Sequence, residues 1–350
     1  MTILPIFSRH KIFITYQQNI DLNDLNITPI LSDQKKSNKT FIYLVPKRCK
    51  KKYNPCTELI LIHEFIRLGY HIIPIYHLYI INVLFLILTR KIDGIIVNSI
   101  NILWKNRLLL KLNLTTPIYW WYFDNPFLRE KNNRKCMALA KNVSIFYNKH
   151  INQFANYKKY SINPVWLDQG ITDECQFVET DYYKYDIVFF GSLNIVHDTR
   201  TKLLKKMDKD YNLAIFTTMK NKFKDLGFQN VFDAVKHRKI GEIIAQTKIV
   251  LVLNATTKEA YCWSNRIHLM LGSGAFCLTD YIQGLEKSYV DGEECIFVKN
   301  LDRLKANIDK WIRDDKKEQR EEIRLNGYKR AHAEHSYENR IKSLISNIES

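Results

Sequence analysis

The sequence predicts an α/β protein made of two doubly wound, Rossmann-like halves that face each other across a cleft. The chain has 350 residues, of which 46% are hydrophobic, and this is more than one domain usually needs. Short apolar runs rich in β-branched and aromatic residues recur along it, with helix-length segments between them. Because the runs are continuous rather than alternating, they are typical of parallel strands covered on both faces.

Ten runs are predicted to be strands, five in each half of the chain. They are FIYLV (41–45), HIIPI (71–75), DGIIV (93–97), PIYWWYF (117–123), SIFY (144–147), YDIVFF (185–190), NLAIF (212–216), KIVLVL (248–253), AFCLTD (275–280) and CIFV (295–298). The polar stretch QFVETDYYK separates the two series. We therefore place the N-terminal half at residues 1–175, a linker at 176–184, the C-terminal half at 185–325, and at 326–350 a helix that crosses back to the N-terminal half.

The charge balance favours an anionic partner. Lysine and arginine total 53 against 36 acidic residues, which gives a formal charge of +17. Nucleic acid, an anionic membrane surface and a phosphate-bearing small molecule all fit this excess, and so does the compositional bias of an AT-rich genome. Charge alone does not choose among them.

The cysteines and the most apolar segment bear on location. The seven cysteines are odd in number and lack the spacing of a zinc site, so they predict a reducing, cytoplasmic environment without a disulfide framework. The segment IIPIYHLYIINVLFLIL (72–88) approaches membrane-spanning length, but Pro74, His77 and Asn82 interrupt it. We interpret it as a buried strand followed by a core helix, with no transmembrane span.

One arginine stands at an unexpected place, in the stretch WSNRIHLMLGSGAFCLTD (263–280). Ser264 is predicted to cap a short helix that Gly272 to Gly274 end before the next strand. Arg266 then lies in the first helical turn, where a cation opposes the helix dipole. A bound anion would reverse the sign of that interaction, whereas the alternative is an arginine that simply reaches into water.

A second candidate phosphate site follows the strand YDIVFF. Gly191 and Ser192 come at its carboxyl end, and a glycine there lets backbone N–H groups approach a phosphate. His197 and Arg200 are near enough along the chain to neutralise a diphosphate. The alternative is a plain strand-to-helix turn with solvated cations.

Asp124 is the candidate general base. It comes directly after the aromatic-rich strand IYWWYF, at the strand end where open α/β sheets bind ligands. The alternative is a turn-forming aspartate before Asn-Pro.

A basic cluster follows the first predicted strand. The sequence KRCKKK contains Lys47, Arg48, Lys50, Lys51 and Lys52. These residues are candidates for contact with an acceptor or another polyanion, and a solvated loop is the equal alternative.

Several of these segments resemble one family. YDIVFFGS, SNRIHLMLGSGAFCLTD, YIQGLEKSYVDGEECIFVKNLDRL and IRLNGYKRAHAEHSYENRI are similar, in this order, to the C-terminal half of the CgeB-like (spore maturation protein-like) glycosyltransferases. The resemblance covers about residues 185–345 and implies a GT-B fold with a C-terminal helical tail. It also implies a nucleotide-sugar donor.

A more distant likeness is to the DNA β-glucosyltransferases of T-even phages. It is carried by DGIIVNSIN (93–101), IYWWYFDNPF (118–127), PVWLDQGITDE (164–174) and FFGSLNIVHDTR (189–200). This resemblance implies that Asp124 is the catalytic base and that Gly191, Ser192 and Arg200 belong to the diphosphate-binding loop. The sequence departs from many GT-B enzymes at the expected ribose-binding glutamate, where Leu269 or His268 stands instead.

The combined prediction is a metal-independent, inverting glycosyltransferase that uses a nucleotide-sugar, with UDP as the expected nucleotide, and no cofactor. The donor-binding candidates are Gly191, Ser192, His197, Arg200, Asn265, Arg266, Gly272 and Gly274, and Asp124 is the catalytic candidate. The expected acceptor is a surface glycan or glycoprotein, with hydroxymethylated pyrimidines in DNA as the alternative. Peripheral contact with an anionic membrane and an inactive, basic binding module also stay open.

Overall fold

A computed structural model describes residues 37–46, 57–76, 79–112, 115–128, 130–193, 198–254 and 257–349. Two six-stranded sheets, both entirely parallel, organise this part of the chain. Both belong to one compact unit, Ser37–Ser350. The two doubly wound halves predicted from the apolar runs are therefore confirmed.

The first sheet has the strand order β2-β1-β3-β4-β5-β6. Its strands are β1 (Thr40–Leu44), β2 (His71–Ile75), β3 (Gly94–Val97), β4 (Ile118–Tyr122), β5 (Ile145–Asn148) and β6 (Val165–Trp166). The helices between them are α1 (Thr57–Arg67), α2 (Tyr79–Thr89), α3 (Ile100–Lys105), α4 (Leu108–Lys111), α5 (Glu130–Ala140) and α6 (Phe154–Lys158).

The second sheet has the order β12-β11-β10-β7-β8-β9. Its strands are β7 (Tyr185–Phe190), β8 (Leu213–Thr217), β9 (Asn230–Asp233), β10 (Thr247–Val252), β11 (Cys277–Asp280) and β12 (Ile296–Val298). The helices are α7 (Asp198–Asp210), α8 (Lys220–Asp225), α9 (Ile240–Ala245), α10 (Arg266–Gly272) and α11 (Leu304–Trp311). Val188 and Phe190 pack into the core on one face of this sheet, and Ile187 and Phe189 pack into the core on the other. Both faces are covered, which explains the continuous apolar runs.

Two further helices, α12 (Lys317–Glu334) and α13 (Tyr337–Glu349), end the described chain. Helix α13 packs on α1 of the first sheet, where Arg67 Nη2 lies 2.6 Å from Glu338 Oε2. Lys39 Nζ likewise lies 2.6 Å from Glu349 Oε1. The C-terminal helix thus returns to the N-terminal half; the exact domain boundaries stay a prediction.

The prediction that residues 72–88 end in a core helix was wrong for most of that helix. In α2 only Val83 is fully buried, whereas Ile81, Phe85 and Leu88 are 65%, 48% and 83% exposed. The helix covers the sheet with one side and turns an equally apolar side outwards, which its uniformly apolar sequence could not distinguish. Across the described ranges, no helix is both long and apolar enough to cross a bilayer.

Candidate active site

A cleft of about 760 Å³ lies where the carboxyl ends of strands from both sheets meet. The N-terminal wall comes from loops after β4 and β5, with Asp124, Asn125, Lys149 and His150. The residues of the C-terminal wall lie at the carboxyl ends of β7 to β10 or in the segments that follow these strands. They include Phe190, Gly191, Ser192, Thr217, Val235, Trp263, Asn265 and Arg266. Ligands of open α/β sheets bind at this edge, so the topology itself points to this cleft.

Arg266 joins the ends of two strands. Its Nη1 donates to the carbonyl oxygen of Phe190 at 2.8 Å, and its Nη2 donates to that of Leu253 at 3.1 Å. Its Nε donates to Ser264 Oγ at 3.1 Å. Burial lowers the pKa of Arg266 to about 10, although Asp280 acts in the opposite direction. The side chain therefore lies along the cleft wall and does not reach freely into water.

The predicted cap of α10 differs from the observed one. The residue at the N-cap is Asn265, not Ser264, and its side chain makes no capping bond. Asn265 Nδ2 instead donates to the carbonyl oxygen of Gly170 at 3.1 Å. Ser264 Oγ accepts from the backbone N of Arg266, the first residue of α10, at 3.4 Å, and also from Arg266 Nε. The start of α10 is thereby tied to the segment before it and to the other half of the protein.

Arg200, in the first turn of α7, is buried beside Arg266. Its Nη1 donates to the Ser192 carbonyl oxygen at 3.2 Å, while Nε and Nη2 have no hydrogen-bond partner among the described residues. Burial and then the charge of Arg266 lower the pKa of Arg200 to about 9, against the effect of Asp280. Buried donors without acceptors are costly, so this guanidinium is a ready partner for an anion.

The two arginines share one aromatic ring and one carboxylate. Their Cζ atoms lie 5.6 Å (Arg200) and 5.4 Å (Arg266) from the centroid of Phe189. Asp280 is buried and accepts from the backbone N and the side chain of Asn254. Two cations facing one carboxylate leave an excess of one positive charge in this cluster, which an anionic ligand would neutralise.

Gly191 is required by this packing. A Cβ at Gly191 would lie 2.4 Å from Arg266 Nη1 and 2.7 Å from Phe189 Cζ. A larger residue would push the guanidinium away from the Phe190 carbonyl group. The glycine predicted for close phosphate approach thus also makes room for the arginine.

Two predicted site residues, Gly272 and Gly274, stand apart from this cluster, and two further predictions fall on residues that the structure does not describe. Gly272 and Gly274 do not line the cleft, because the sites of their Cβ atoms face Ile171 and Phe177 at 2.4 and 2.6 Å. Gly274 has a φ of +79°, which suits the turn into β11. His197 lies outside the described residues. So does the basic cluster, Lys47, Arg48, Lys50, Lys51 and Lys52.

Leu269 lines the cleft at the position expected for a ribose-binding glutamate, whereas His268 turns away from it. One helical turn before Leu269, Asn265 also lines the cleft, and its buried Oδ1 has no hydrogen-bond partner in the described part of the chain. An amide oxygen therefore stands on the helix face where the carboxylate is missing.

Asp124 lies on the N-terminal wall, just beyond β4, and its side chain is exposed. Its backbone oxygen accepts from Asn148 Nδ2 at 3.2 Å, which fixes the loop to the end of β5. Burial raises the pKa of Cys262 on the opposite wall, and the charge of Asp124 adds to this rise. Asp124 therefore lines the same cleft as the two arginines, on the wall formed by the other half.

A buried ionic cluster behind the cleft was not predicted. Asp168 Oδ2 accepts from Trp263 Nε1 at 3.0 Å and from His268 Nε2 at 3.1 Å, and Lys149 Nζ lies 3.7 Å from Asp168 Oδ1. Burial raises the pKa of Asp168, but Lys149 and His268 outweigh it and hold that pKa well below its usual range. The cluster joins residues of both halves, since Lys149 follows β5 and His268 lies in α10.

Two buried histidines should make the fold acid-sensitive. Burial, and then the charge of Lys149, lower the pKa of His150 to about 3; burial, and then His268 and Arg340, lower that of His335 to about 3. Both values are below that of an unfolded histidine, so the stabilisation is complete above about pH 6.5 and is lost as the pH falls towards 3. We expect a loss of about 2 kcal/mol per histidine in the free energy of unfolding at pH 5, measurable by urea denaturation.

The variant His335→Gln tests this assignment, because it removes one titrating group and should reduce the difference in stability between pH 7 and pH 5. His71, which is exposed at the start of β2, is the matched control, and His71→Gln should leave that difference unchanged. A wild-type protein equally stable at both pH values would show that these histidines do not stay neutral in the fold.

Within the ranges that the structure describes, no set of three or more His, Cys, Asp or Glu side chains is placed to hold a metal ion.

The sequence and the fold were compared with known proteins. Residues 200–346 match the model of a glycosyl transferase-like family. No curated protein sequence matches the chain.

Solved structures match nearly the whole described fold. Sucrose-phosphate synthase from Thermosynechococcus elongatus superposes with a TM-score of 0.70 at 9% identity, over 89% of this chain and 98% of the other. HepE from Anabaena in complex with UDP-glucose gives a TM-score of 0.62 at 11% identity, over 88% and 99%. An alpha-glucosyltransferase in complex with UDP and a 13-mer DNA containing an HMU base gives 0.62 at 12%, over 90% and 100%.

These matches agree with the predicted class. The chain has the GT-B fold of two parallel, doubly wound sheets around a cleft, followed by C-terminal helices. The finer CgeB-like resemblance is not confirmed by them. The chain thus has a GT-B fold, as the sequence predicts, and its residues 200–346 match a glycosyl transferase-like family model.

Proposed function

We propose that this protein transfers a sugar from a UDP-sugar to an acceptor hydroxyl group. The observation that carries the proposal is the buried Arg200, with two unpartnered guanidinium nitrogens, next to Arg266 at the carboxyl end of β7. A diphosphate between these two cations and the backbone of Gly191 and Ser192 would neutralise the excess charge. The UDP and UDP-glucose complexes of HepE and the UDP complex of the alpha-glucosyltransferase support UDP as the nucleotide.

The rest of the donor has matching surfaces in the same cleft. Beyond the arginines, the wall carries the apolar side chains of Phe190, Phe216 and Val235, which suit a flat nucleobase. The free Oδ1 of Asn265 can accept a hydrogen bond from a ribose hydroxyl group, in place of the missing glutamate. The departing diphosphate would be stabilised by fixed cations without a required metal ion.

The acceptor hydroxyl would enter from the N-terminal wall. Asp124 is exposed there and lines the same cleft as the donor-side arginines, so it is the proposed general base. Removal of the hydroxyl proton would let the acceptor oxygen attack the anomeric carbon while the bond to the UDP oxygen breaks. This direct displacement inverts the anomeric configuration.

Replacing Arg200 by glutamine should weaken UDP binding roughly 10- to 100-fold, because charge-assisted hydrogen bonds to the diphosphate are lost. Isothermal titration calorimetry with UDP measures the effect directly. Arg303→Gln is the matched control, since Arg303 is exposed on a short helix and does not line the cleft. Equal UDP affinity in the Arg200 variant and the wild type would show that the diphosphate does not bind at Arg200.

The proposed acceptor is a surface or protein-linked glycan. A base of DNA is the second candidate, supported by the formal charge of +17 and by the DNA complex of one structural neighbour. Mass spectrometry of glycan and hydroxymethylated DNA acceptors, after incubation with mixed UDP-sugars, separates the two. A DNA-modifying enzyme would also bind duplex DNA with an affinity that falls steeply as salt rises.

A further inference from the structure

Helix α2 presents an apolar stripe to the outside of the molecule. Ile81, Phe85 and Leu88 are spaced four and three residues apart, so they lie on one side of the helix, and all three are exposed. Surface helices normally carry charged residues on that side, but α2 contains none. The stripe is therefore a true second apolar side and not the edge of the core-facing one.

The next helices extend this surface. The connections β2-to-β3 and β3-to-β4 cross the sheet in the same direction, and right-handed crossovers place their helices on the same face. Val83 of α2, Leu103 of α3 and Leu109 of α4 accordingly share one core cluster. Leu108 and Leu112, at the two ends of α4, are 49% and 38% exposed.

The exposed charges of this segment have one sign. Between residues 79 and 112 of the described chain, the basic side chains are all exposed; they are Arg90, Lys91, Lys105, Arg107 and Lys111. Within the same range the single acidic residue, Asp93, is partly buried and accepts from the backbone N of Thr40 at 2.7 Å. We define the α2–α4 face as these five cations together with the five exposed apolar side chains.

We propose that the α2–α4 face binds the surface of an anionic lipid bilayer. An apolar stripe flanked by lysine and arginine suits the boundary between head groups and acyl chains, where the side chains enter the lipid and the cations contact anionic head groups. The face covers the side of the first sheet, whereas the cleft lies at the carboxyl ends of its strands. Membrane binding therefore leaves the cleft open.

Two other occupants fit less well. Duplex DNA would use the cations but would gain nothing from the exposed Phe85 and Leu88. A second copy in a two-fold dimer would place the same five cations opposite themselves, and like charges across an interface oppose association. An anionic bilayer uses both parts of the face.

The test is co-sedimentation of the full chain with vesicles. Binding is expected to vesicles of phosphatidylcholine mixed with phosphatidylglycerol, and to be much weaker with phosphatidylcholine alone. The double variant Phe85→Ser/Leu88→Ser should bind the mixed vesicles at least about tenfold more weakly, because two apolar side chains no longer enter the lipid. Leu226→Ser/Leu325→Ser, at exposed leucines elsewhere, is the matched control and should bind like the wild type.

A charge variant gives an independent result. Arg90→Gln/Lys91→Gln should weaken binding and reduce its dependence on salt. The proposal is overturned if the folded wild type does not bind mixed vesicles, or if the Phe85/Leu88 variant binds them as well as the control. It is equally overturned if these substitutions change only the oligomeric mass in light scattering, which indicates a second copy, or only the affinity for duplex DNA.

Discussion

Replacing Asp124 by asparagine should lower the rate of sugar transfer about 10²- to 10⁴-fold, because a positioned general base contributes a factor of this size. Asparagine keeps the size of the side chain but cannot accept the acceptor's proton. Asp124 is not among the hydrogen-bond partners of the two arginines on the opposite wall, so UDP affinity should stay close to that of the wild type. UDP release in the presence of acceptor measures turnover, and calorimetry with UDP measures donor binding.

The matched control is Asp302→Asn, at an exposed aspartate that does not line the cleft. It should transfer sugar at the wild-type rate. Retained turnover in the Asp124 variant would take Asp124 out of the base role. Product stereochemistry is a second check, because direct displacement on an α-linked donor gives a β-linked product, whereas an α-linked product would mean that another mechanism operates.

Most of the strands could be predicted because their residues are buried on both faces. All ten predicted runs overlap an observed strand, and HIIPI and YDIVFF match β2 and β7 residue for residue. The two strands that were missed, β6 and β9, are edge strands of two and four residues. Such strands are too short and too exposed to carry an apolar pattern.

The candidate site could be predicted only in part. Asp124, Gly191, Ser192, Arg200 and Arg266 meet at one cleft because each lies beyond the carboxyl end of a parallel strand or in the helix that follows it. The hydrogen-bond partners of the Arg266 guanidinium could not be predicted, because the carbonyl groups of Phe190 and Leu253 belong to distant segments.

The contacts of the buried ionic cluster were even harder to predict from the sequence. Asp168 and His268 are 100 positions apart, and although each lies in a segment that resembles a known family, neither segment indicates that the two side chains meet. The one available signal was the polar sequence Asn148-Lys149-His150 directly after a predicted strand, which places Lys149 and His150 at the ligand-binding edge.

Replacing Asp168 by asparagine should destabilise the fold by about 3–5 kcal/mol, the usual cost of leaving one member of a buried ion pair uncompensated. Lys149 would keep a buried charge, since its other acceptor here is the neutral carbonyl oxygen of Trp263. In the wild type, Trp263 and His268 donate to one oxygen of Asp168, and Lys149 lies beside the other. The amide NH₂ of asparagine would replace one of these two oxygens, so that a donor would then face a donor. Urea denaturation at neutral pH measures the change in the free energy of unfolding.

Two further variants decide whether the charge itself is responsible. Asp186→Asn removes a partly exposed carboxylate 3.6 Å from Lys248, and an exposed pair of this kind contributes less than about 1 kcal/mol. The double variant Asp168→Asn/Lys149→Met removes both buried charges and should recover part of the loss, because no uncompensated ion is left behind. If Asp168→Asn costs no more than Asp186→Asn, the cluster does not hold the two halves together. If the double variant is less stable than Asp168→Asn alone, Lys149 stabilises the fold through the Trp263 carbonyl group and not through the carboxylate.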